Sequence, residues 1–268
     1  MARRRQNITR NRRHRAVGAI VLALIGLATA GATWRDTVVL PPFICRAEFS
    51  LGEQAWLKEE LTRLWSDVRG TLALEPPRRT IDIYLFADVG TYRRYLDTYM
   101  PGVPYRRALF VDAGRGGQVF AYLNRELAVD LRHEVTHSLV HAELHNVPLW
   151  LDEGLAEYFE APQPRRNWRH AHLAGINENL RHGLVPRLDA LERLVELDEM
   201  GPAEYRDAWG WVHFLLHGPE PVQAELRHYI DSLRAGRTSP TLSERLATRL
   251  PDVEARFATY YRQWGERP

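Results

Sequence analysis

Five residues, His-Glu-Val-Thr-His at positions 133–137, constrain the fold of this chain more than any other part of its sequence. Residues four apart on an α-helix lie about 40° apart around its axis, so His133 and His137 can contact one metal ion. Glu134 lies one step round the helix and can act on a water held by that ion. A carboxylate from a second helix would supply a third ligand and leave the fourth position open, which is typical of a catalytic zinc site.

The sequence around this motif predicts two neighbouring helices. Apolar residues recur with helical spacing through the motif, at Leu127, Leu131, Val135, Leu139 and Val140. Asn146 and Pro148 then interrupt the chain, and a second helix is predicted to begin near Leu149. A short loop makes two helices antiparallel neighbours, so Glu153, sixteen residues after His137, can fold back towards the histidines. The spacing therefore predicts a zinc hydrolase, most simply a peptidase.

Two other ligand sets are disfavoured. The pattern HExxHxxGxxH completes its zinc site with a Gly and a third His, but those positions hold Val140 and Glu143. His141 continues the four-residue spacing, yet it lies about 12 Å along the helix axis from His133 and cannot share one ion with both upstream histidines. A partly solvated helix face is the favoured interpretation of His141.

These residues resemble a known family of metallopeptidases. The motif, followed by Trp-Leu-Asp-Glu-Gly-Leu-Ala-Glu-Tyr-Phe-Glu at 150–160, is similar to the gluzincins, whose members include thermolysin and aminopeptidase N. It resembles most closely the small peptidase MA-like domains of bacteria. The resemblance extends from near Ile81 to near Leu216, about half of the chain, and its specific part is residues 133–158.

The resemblance implies a complete catalytic centre with one Zn²⁺ per chain. The ligands would be His133, His137 and Glu153, and the general base would be Glu134. Such a zinc lowers the pKa of its bound water and polarises the substrate carbonyl. The base takes the water proton and later returns it to the leaving amine.

Four further residues are candidates for supporting roles. Asp152 or Glu157 can hydrogen-bond a ligand histidine, although a solvated acidic helix face explains both equally well. A donor to the tetrahedral oxyanion is usually needed, and in this family it is often a Tyr or a His. Tyr205 and His213 are the candidates here. Apolar residues in the same stretch favour a core-facing helix: Trp209, Val212, Leu215 and Leu216.

The first 33 residues differ in composition from the rest. They contain seven Arg and no acidic residue, whereas the rest of the chain carries 29 basic and 34 acidic residues. Residues 16–33 are an uncharged, mostly apolar stretch close to the minimum length of a membrane span. The preceding basic residues favour a cytoplasmic N-terminus, and Ala28-Thr29-Ala30 matches a signal-peptidase site. The segment is therefore a cleaved signal peptide or a single membrane anchor, and both put residues 34–268 outside the cytoplasm.

Composition also limits the partners of the chain. The mildly acidic region after residue 33 has no general nucleic-acid footprint. The expected partner is the peptide or protein substrate that the zinc motif and the resemblance imply. Membrane contact would run through residues 16–33 if they are not cleaved. Cys45 is the only cysteine, which excludes an intrachain disulfide and a thiolate metal cluster.

The remaining pattern predicts an α+β fold, with a small β-sheet subdomain packed on the motif helix and an all-helical C-terminal part. Strands are predicted at 80–86, 107–111 and 118–123, and helices at 53–68, 92–99, 188–198, 203–217, 220–234 and 251–264. Pro41-Pro42 is predicted to close a linker, and residues 162–187 show no clear pattern. In gluzincins the strand beside the motif helix pairs with extended peptide, and Gln118–Leu123 is the candidate for that role.

The predicted cleavage is internal. Gluzincin aminopeptidases bind the substrate amine through a Gly-x-Met-x-Asn motif and a glutamate, but the corresponding residues 116–125 contain no acid. A buried ammonium without a carboxylate would be costly. Glu126 follows the strand and suits the positive end of the helix dipole instead. Two alternatives stay open: a catalytically inactive gluzincin-like binding domain anchored at the membrane, and a membrane-tethered interaction protein without metal.

Overall fold

The computed structural model describes residues 33–112, 117–163, 166 and 170–265, and these residues have an α+β fold. The strands are β1 (Asp36–Leu40), β2 (Phe43–Ala47), β3 (Ile81–Phe86), β4 (Ala108–Val111) and β5 (Gln118–Tyr122). The helices are α1 (Ala55–Leu72), α2 (Val89–Tyr99), α3 (Leu127–His141), α4 (Leu149–Glu160), α5 (His172–Arg181), α6 (Leu188–Leu191), α7 (Pro202–His217), α8 (Glu220–Arg234), α9 (Leu242–Arg249) and α10 (Val253–Gly265). The predicted α+β class is confirmed, and every described element after β5 is helical.

The predicted signal or membrane segment, residues 16–33, lies outside the described residues except for Thr33. No helix in the described ranges is both long enough and apolar enough to cross a bilayer. Trp34 packs on the sheet, with its ring centroid 5.2 Å from that of Tyr84 and 5.4 Å from that of Phe86. The chain is therefore held to the sheet from Trp34 onwards.

The five strands have the order β1-β2-β3-β5-β4. The three central strands are parallel, and each edge strand is antiparallel to its neighbour. β5 is paired on both sides, with β3 and with β4, so it offers no edge to a peptide. The prediction that Gln118–Leu123 pairs with substrate is therefore wrong. The edge strand that packs against α3 is β4.

A hairpin replaces the linker predicted at Pro41-Pro42. The two prolines form the turn between β1 and β2. Phe43, Cys45 and Ala47 alternate into the core, and Cys45 is a buried free thiol. This alternation covers only five residues beside two prolines, which by themselves argue against a strand.

One predicted helix, at 188–198, is wrong for most of its length. It contains α6, a single turn, and the beginning of a 3₁₀ turn at Leu197–Glu199. The Glu199 carboxylate accepts the N–H groups of Val195 (2.8 Å) and Glu196 (2.9 Å). These two N–H groups therefore cannot form the backbone hydrogen bonds of a helix that continues beyond α6. This explains why the chain is not helical here despite its helical sequence pattern.

The other long helices agree with the predictions to within a few residues, at α1, α2, α3, α4, α7, α8 and α10. Helices α5 and α9 are absent from the predictions. The start of α9 had a readable signal, because Thr241 and Glu244 form a reciprocal capping box. No comparable cap marks α5, whose first residue follows Ala171 without a side-chain hydrogen bond.

Helix α4 is buried between α3 and α7. Gly154 lies at the contact with α7, where a Cβ atom would be 2.8 Å from both the Ala208 carbonyl oxygen and Val212 Cγ2. The missing side chain lets the two helix backbones approach closely. This contact fixes the rotation of α4 about its axis, and hence the direction in which Glu153 points.

A buried arginine joins α3 to two other helices. Arg132 is 2% exposed. Its Nε donates to the Phe159 carbonyl at the end of α4 (2.7 Å), and its Nη1 donates to Glu60 of α1. A buried cation is tolerated only when it is paired and hydrogen-bonded. Arg132 therefore holds α1, α3 and α4 together on the side of α3 that is packed in the interior.

Replacing Gly154 with alanine should destabilise the protein by about 1–3 kcal/mol, because the added methyl meets the backbone of α7. Gly70 in α1 is a matched control, since nothing lies within 4 Å of the position of its added Cβ. Gly70→Ala should stabilise by about 0.5–1 kcal/mol through helix propensity. Urea midpoints of both variants measure the two effects. Equal shifts of the same sign would contradict the close-contact explanation.

Candidate active site

The two motif histidines and Glu153 converge on one point. Helix α3 presents His133 and His137 one turn apart, with ring centroids 5.0 Å from each other. Glu153 Oε2 lies 3.5 Å from His133 Nε2 and 3.9 Å from His137 Nε2. These three atoms all lie within 4.8 Å of one another, a spacing that can hold one metal ion. The structure thus brings together the three residues predicted as ligands.

Carboxylates hold the outer nitrogens of both histidines. His137 Nδ1 donates to Asp152 Oδ1 (2.9 Å), and His133 Nδ1 donates to Glu160 Oε2 (3.3 Å). A proton on each Nδ1 leaves the Nε2 lone pair directed at Glu153. Metal-binding histidines are usually oriented by such a carboxylate on the second nitrogen.

Of the two acids predicted to support a ligand histidine, Asp152 does so. Asp152 also hydrogen-bonds to His141 Nε2 (2.8 Å), so His141 belongs to this network rather than to a merely solvated face. Glu157 hydrogen-bonds instead to His172 Nε2 (2.8 Å). Glu160 is absent from the predictions. Its position, two helical turns after the third ligand and on the same face of α4, is a signal that could have identified it.

These carboxylates create a buried environment of negative charge. Burial acts to lower the pKa of His133, but the neighbouring carboxylates of Glu153, Glu160 and Glu134 outweigh burial and raise that pKa well above its usual value. Burial acts to raise the pKa of Asp152, yet its two histidine partners hold it well below its usual range, so the group is a carboxylate. The same field stabilises a cation among these side chains.

The hydrogen bonding of Glu153 Oε2 bears on whether a metal ion fits between these side chains. The residue is 5% exposed, and its Oε2 accepts no hydrogen bond of normal geometry from the described residues. A buried carboxylate oxygen without a partner is costly. An ion bound by this oxygen and the two Nε2 atoms would remove that cost, and two His with one Glu are a ligand set of catalytic zinc. The residues present therefore fit a zinc ion.

Glu134 lies against the edge strand. Its Oε2 accepts the backbone N–H of Phe110 in β4 (2.8 Å). The Phe110 ring also packs against His137 and His141, at centroid distances of 5.9 and 5.4 Å. Phe110 donates its N–H to Glu134, so the N–H and C=O of Phe110 are directed away from β5. The same groups of Ala108, two residues earlier, are directed the same way. The strand therefore orients the predicted base and presents outward backbone groups beside it.

A cleft of about 240 Å³ opens over these groups. It is lined by polar residues from α3 and α4 (Glu134, His137, Asp152 and Glu153), by apolar residues from β4 and the surrounding loops (Val103, Pro104, Leu109, Phe110 and Leu197), and by Arg106 from the loop before β4. The cleft therefore has an acidic, histidine-containing floor and an apolar wall.

Tyr205 lies near this floor, whereas His213 lies in the core. Burial and the charge of Glu153 raise the pKa of Tyr205 to about 12, against the effect of the nearby Arg106 guanidinium. Tyr205 is therefore protonated at neutral pH and can donate a hydrogen bond. His213 is 1% exposed, and its ring packs 5.2 Å from that of Trp209. Its position agrees with the core-facing helix predicted for this stretch.

No protein-family model matches the chain, and no curated protein sequence matches it. The resemblance to gluzincins therefore stays a prediction that rests on residues 133–158.

Asp152→Asn should weaken zinc binding about 10- to 100-fold, because a neutral amide cannot orient His137 as the carboxylate does. Competition with a chromophoric chelator measures the affinity. Asp189→Asn is the matched control. Asp189 lies on α6, accepts hydrogen bonds from Arg187 and Arg193, and is partly exposed. That variant should bind zinc like the wild type. Removing a ligand by His137→Ala should abolish most binding, and full retention by either site variant would refute the assignment.

Proposed function

We propose that this protein is a zinc-dependent metallopeptidase that cleaves peptide bonds inside extended substrates. The observation that carries the proposal is the convergence of the His133 and His137 Nε2 atoms on a buried Glu153 oxygen, with Glu134 beside them. Bound zinc would polarise the substrate carbonyl and lower the pKa of a water. The proposal includes a location outside the cytoplasm, as a membrane-anchored or exported protein, on the composition of residues 1–33.

The side chains of the site have separate tasks in this reaction. Glu134 accepts the proton of the attacking water and passes it to the leaving amine. The Phe110 N–H holds that carboxylate at the edge of the sheet. Asp152 and Glu160 fix the ring orientations of the two histidines. The Tyr205 hydroxyl donates to the carbonyl oxygen as negative charge develops there.

The edge strand supports binding of an extended peptide. Among the described residues, β4 is paired on one side only. The N–H and C=O of Ala108 and the C=O of Phe110 point away from β5, while the Phe110 N–H is taken by Glu134. A peptide added to this edge forms backbone hydrogen bonds that do not depend on sequence. It also passes next to Glu134, because Glu134 is bonded to the same strand. Internal cleavage is the expected result, since the strand does not require a chain terminus.

Glu134→Gln should retain zinc but lower kcat by about 10²- to 10⁴-fold, because an amide cannot accept the water proton. Hydrolysis of an unstructured protein substrate and elemental analysis measure the two quantities on the full chain. Glu126→Gln is the matched control, an exposed glutamate just before α3, and it should keep wild-type turnover. Near-wild-type hydrolysis by zinc-loaded Glu134→Gln would exclude Glu134 as the base. No hydrolysis by the zinc-loaded wild type would favour the inactive binding domain.

A peptide with a free N-terminus and the same peptide acetylated should be cleaved at similar rates. The reason is that residues 117–125, on and after β5, supply no carboxylate for an ammonium, while Glu126 is exposed at the start of α3. Mass spectrometry of the products should give internal fragments from both peptides. Release of single N-terminal residues from the free peptide alone, with loss of cleavage on acetylation, would establish an aminopeptidase instead.

A further inference from the structure

One charged group in the cleft has no task in the proposed reaction. Arg106 lies in the loop before β4, is exposed, and lines the cleft beside Glu134 and His137. The next residue, Arg107, donates to Asp130 of α3 (2.7 Å). In the described part of the chain, Arg106 has no such carboxylate partner, and its charge acts on the nearby phenol of Tyr205.

The acids of the cleft have other partners. Glu134 accepts from Phe110, and Asp152 accepts from two histidines. Glu153 faces the two Nε2 atoms. None of these carboxylates forms an ion pair with Arg106, so its guanidinium donors are not taken up by the cleft floor, and a protonated phenol cannot neutralise its charge. A guanidinium presents a planar set of donors that matches a carboxylate in two parallel hydrogen bonds.

The wall beside Arg106 is apolar. It is formed by Val103, Pro104, Leu109, Phe110 and Leu197. Val103 is 38% exposed, so part of this wall faces solvent in the free protein. An apolar side chain of a substrate would cover this wall and remove its apolar surface from water, so the wall favours substrates with such a side chain. The cation at its border favours a negative group next to that side chain.

We propose that Arg106 binds a carboxylate of the substrate, so that the cleft selects peptides with an apolar side chain beside the cleaved bond and a carboxylate close to it. This inference rests on the proposed peptidase function and names its substrate class. The carboxylate is either that of an acidic side chain or that of a free C-terminus, since both present the same two oxygens to a guanidinium.

Matched fluorogenic peptides test this on the zinc-loaded full chain. The reference peptide is neutral, apolar around the cleaved bond and blocked at both ends. In one arm Glu replaces Gln at successive positions around the bond, and in the other the C-terminal amide becomes a free acid. Wild type should prefer a carboxylate peptide of one arm by roughly tenfold to hundredfold in kcat/KM, mainly through KM. The arm in which this occurs identifies the source of the carboxylate.

Arg106→Gln should lose this preference while cleaving the reference peptide within about threefold of the wild-type rate. Arg93→Gln is the charge-matched control, because Arg93 is exposed and stacks over the Tyr105 ring at 4.1 Å. It should keep the preference. The absence of any preference in the wild type would overturn the proposal. So would an equal loss for all peptides in Arg106→Gln, which would mean that Arg106 acts through Tyr205 on the reaction itself.

Binding separates this proposal from the peptidase function. Fluorescence anisotropy on Glu134→Gln should give tighter binding of the carboxylate peptide than of the reference peptide. Adding Arg106→Gln to that variant should remove the difference. If the wild type cleaves nothing but this binding difference is present and is lost without Arg106, the peptidase function fails and the carboxylate site stands. Cleavage without any binding difference overturns the carboxylate site alone.

Discussion

The contact of α4 with helices on both sides is the constraint on which the rest of the site depends. On one side α4 packs against α3, and on the other the missing side chain of Gly154 lets α7 reach its backbone. With its rotation fixed in this way, α4 directs Glu153 towards the histidines and Asp152 towards the second nitrogen of His137. Consecutive residues of α4 thus contact different nitrogens of the motif histidines, Glu153 at the Nε2 side and Asp152 at Nδ1 of His137, which a freely rotating surface helix could not do.

Charge burial is the second constraint on this region. Three carboxylates surround two histidines in a largely buried space, and the cost of burying them is reduced by hydrogen bonds to Nδ1 atoms. One Glu153 oxygen is left without such a bond among the described residues. The metal ion of the proposed function would satisfy this atom and the two Nε2 lone pairs together. On the interior side of α3, Arg132 forms an ion pair with Glu60 and donates to the Phe159 carbonyl, so its role is to hold helices rather than to bind a ligand.

The sheet contributes to the cleft through its edge. Because β4 is the outer strand, its backbone is available beside Glu134, and its side chains form part of the apolar wall. The loop that leads into β4 brings Arg106 to the same cleft and Arg107 to the start of α3. Two adjacent arginines therefore have different surroundings. One is paired within the fold, and the other faces the space where a substrate would lie.

The sequence by itself determined the central part of the site and the class of the fold. His133 and His137 share a face because they are one helical turn apart, and Glu153 reaches them because a short loop makes successive helices antiparallel. These are local relations, and local spacing predicts them. The short strands β1 and β2 were not predicted, and the helix predicted at 188–198 is mostly wrong. In both places the local sequence signal is weak, and contacts with distant parts of the chain decide the structure.

Only the tertiary structure decided which groups surround that centre. The sheet order made β4 the edge strand in place of β5, since pairing between distant strands is not encoded in either strand alone. The partners of the histidines were likewise settled by packing, which selected Asp152 and Glu160 and directed Glu157 to His172. The cleft follows from the same cause, because its walls come from segments far apart in the chain that meet only in the folded protein.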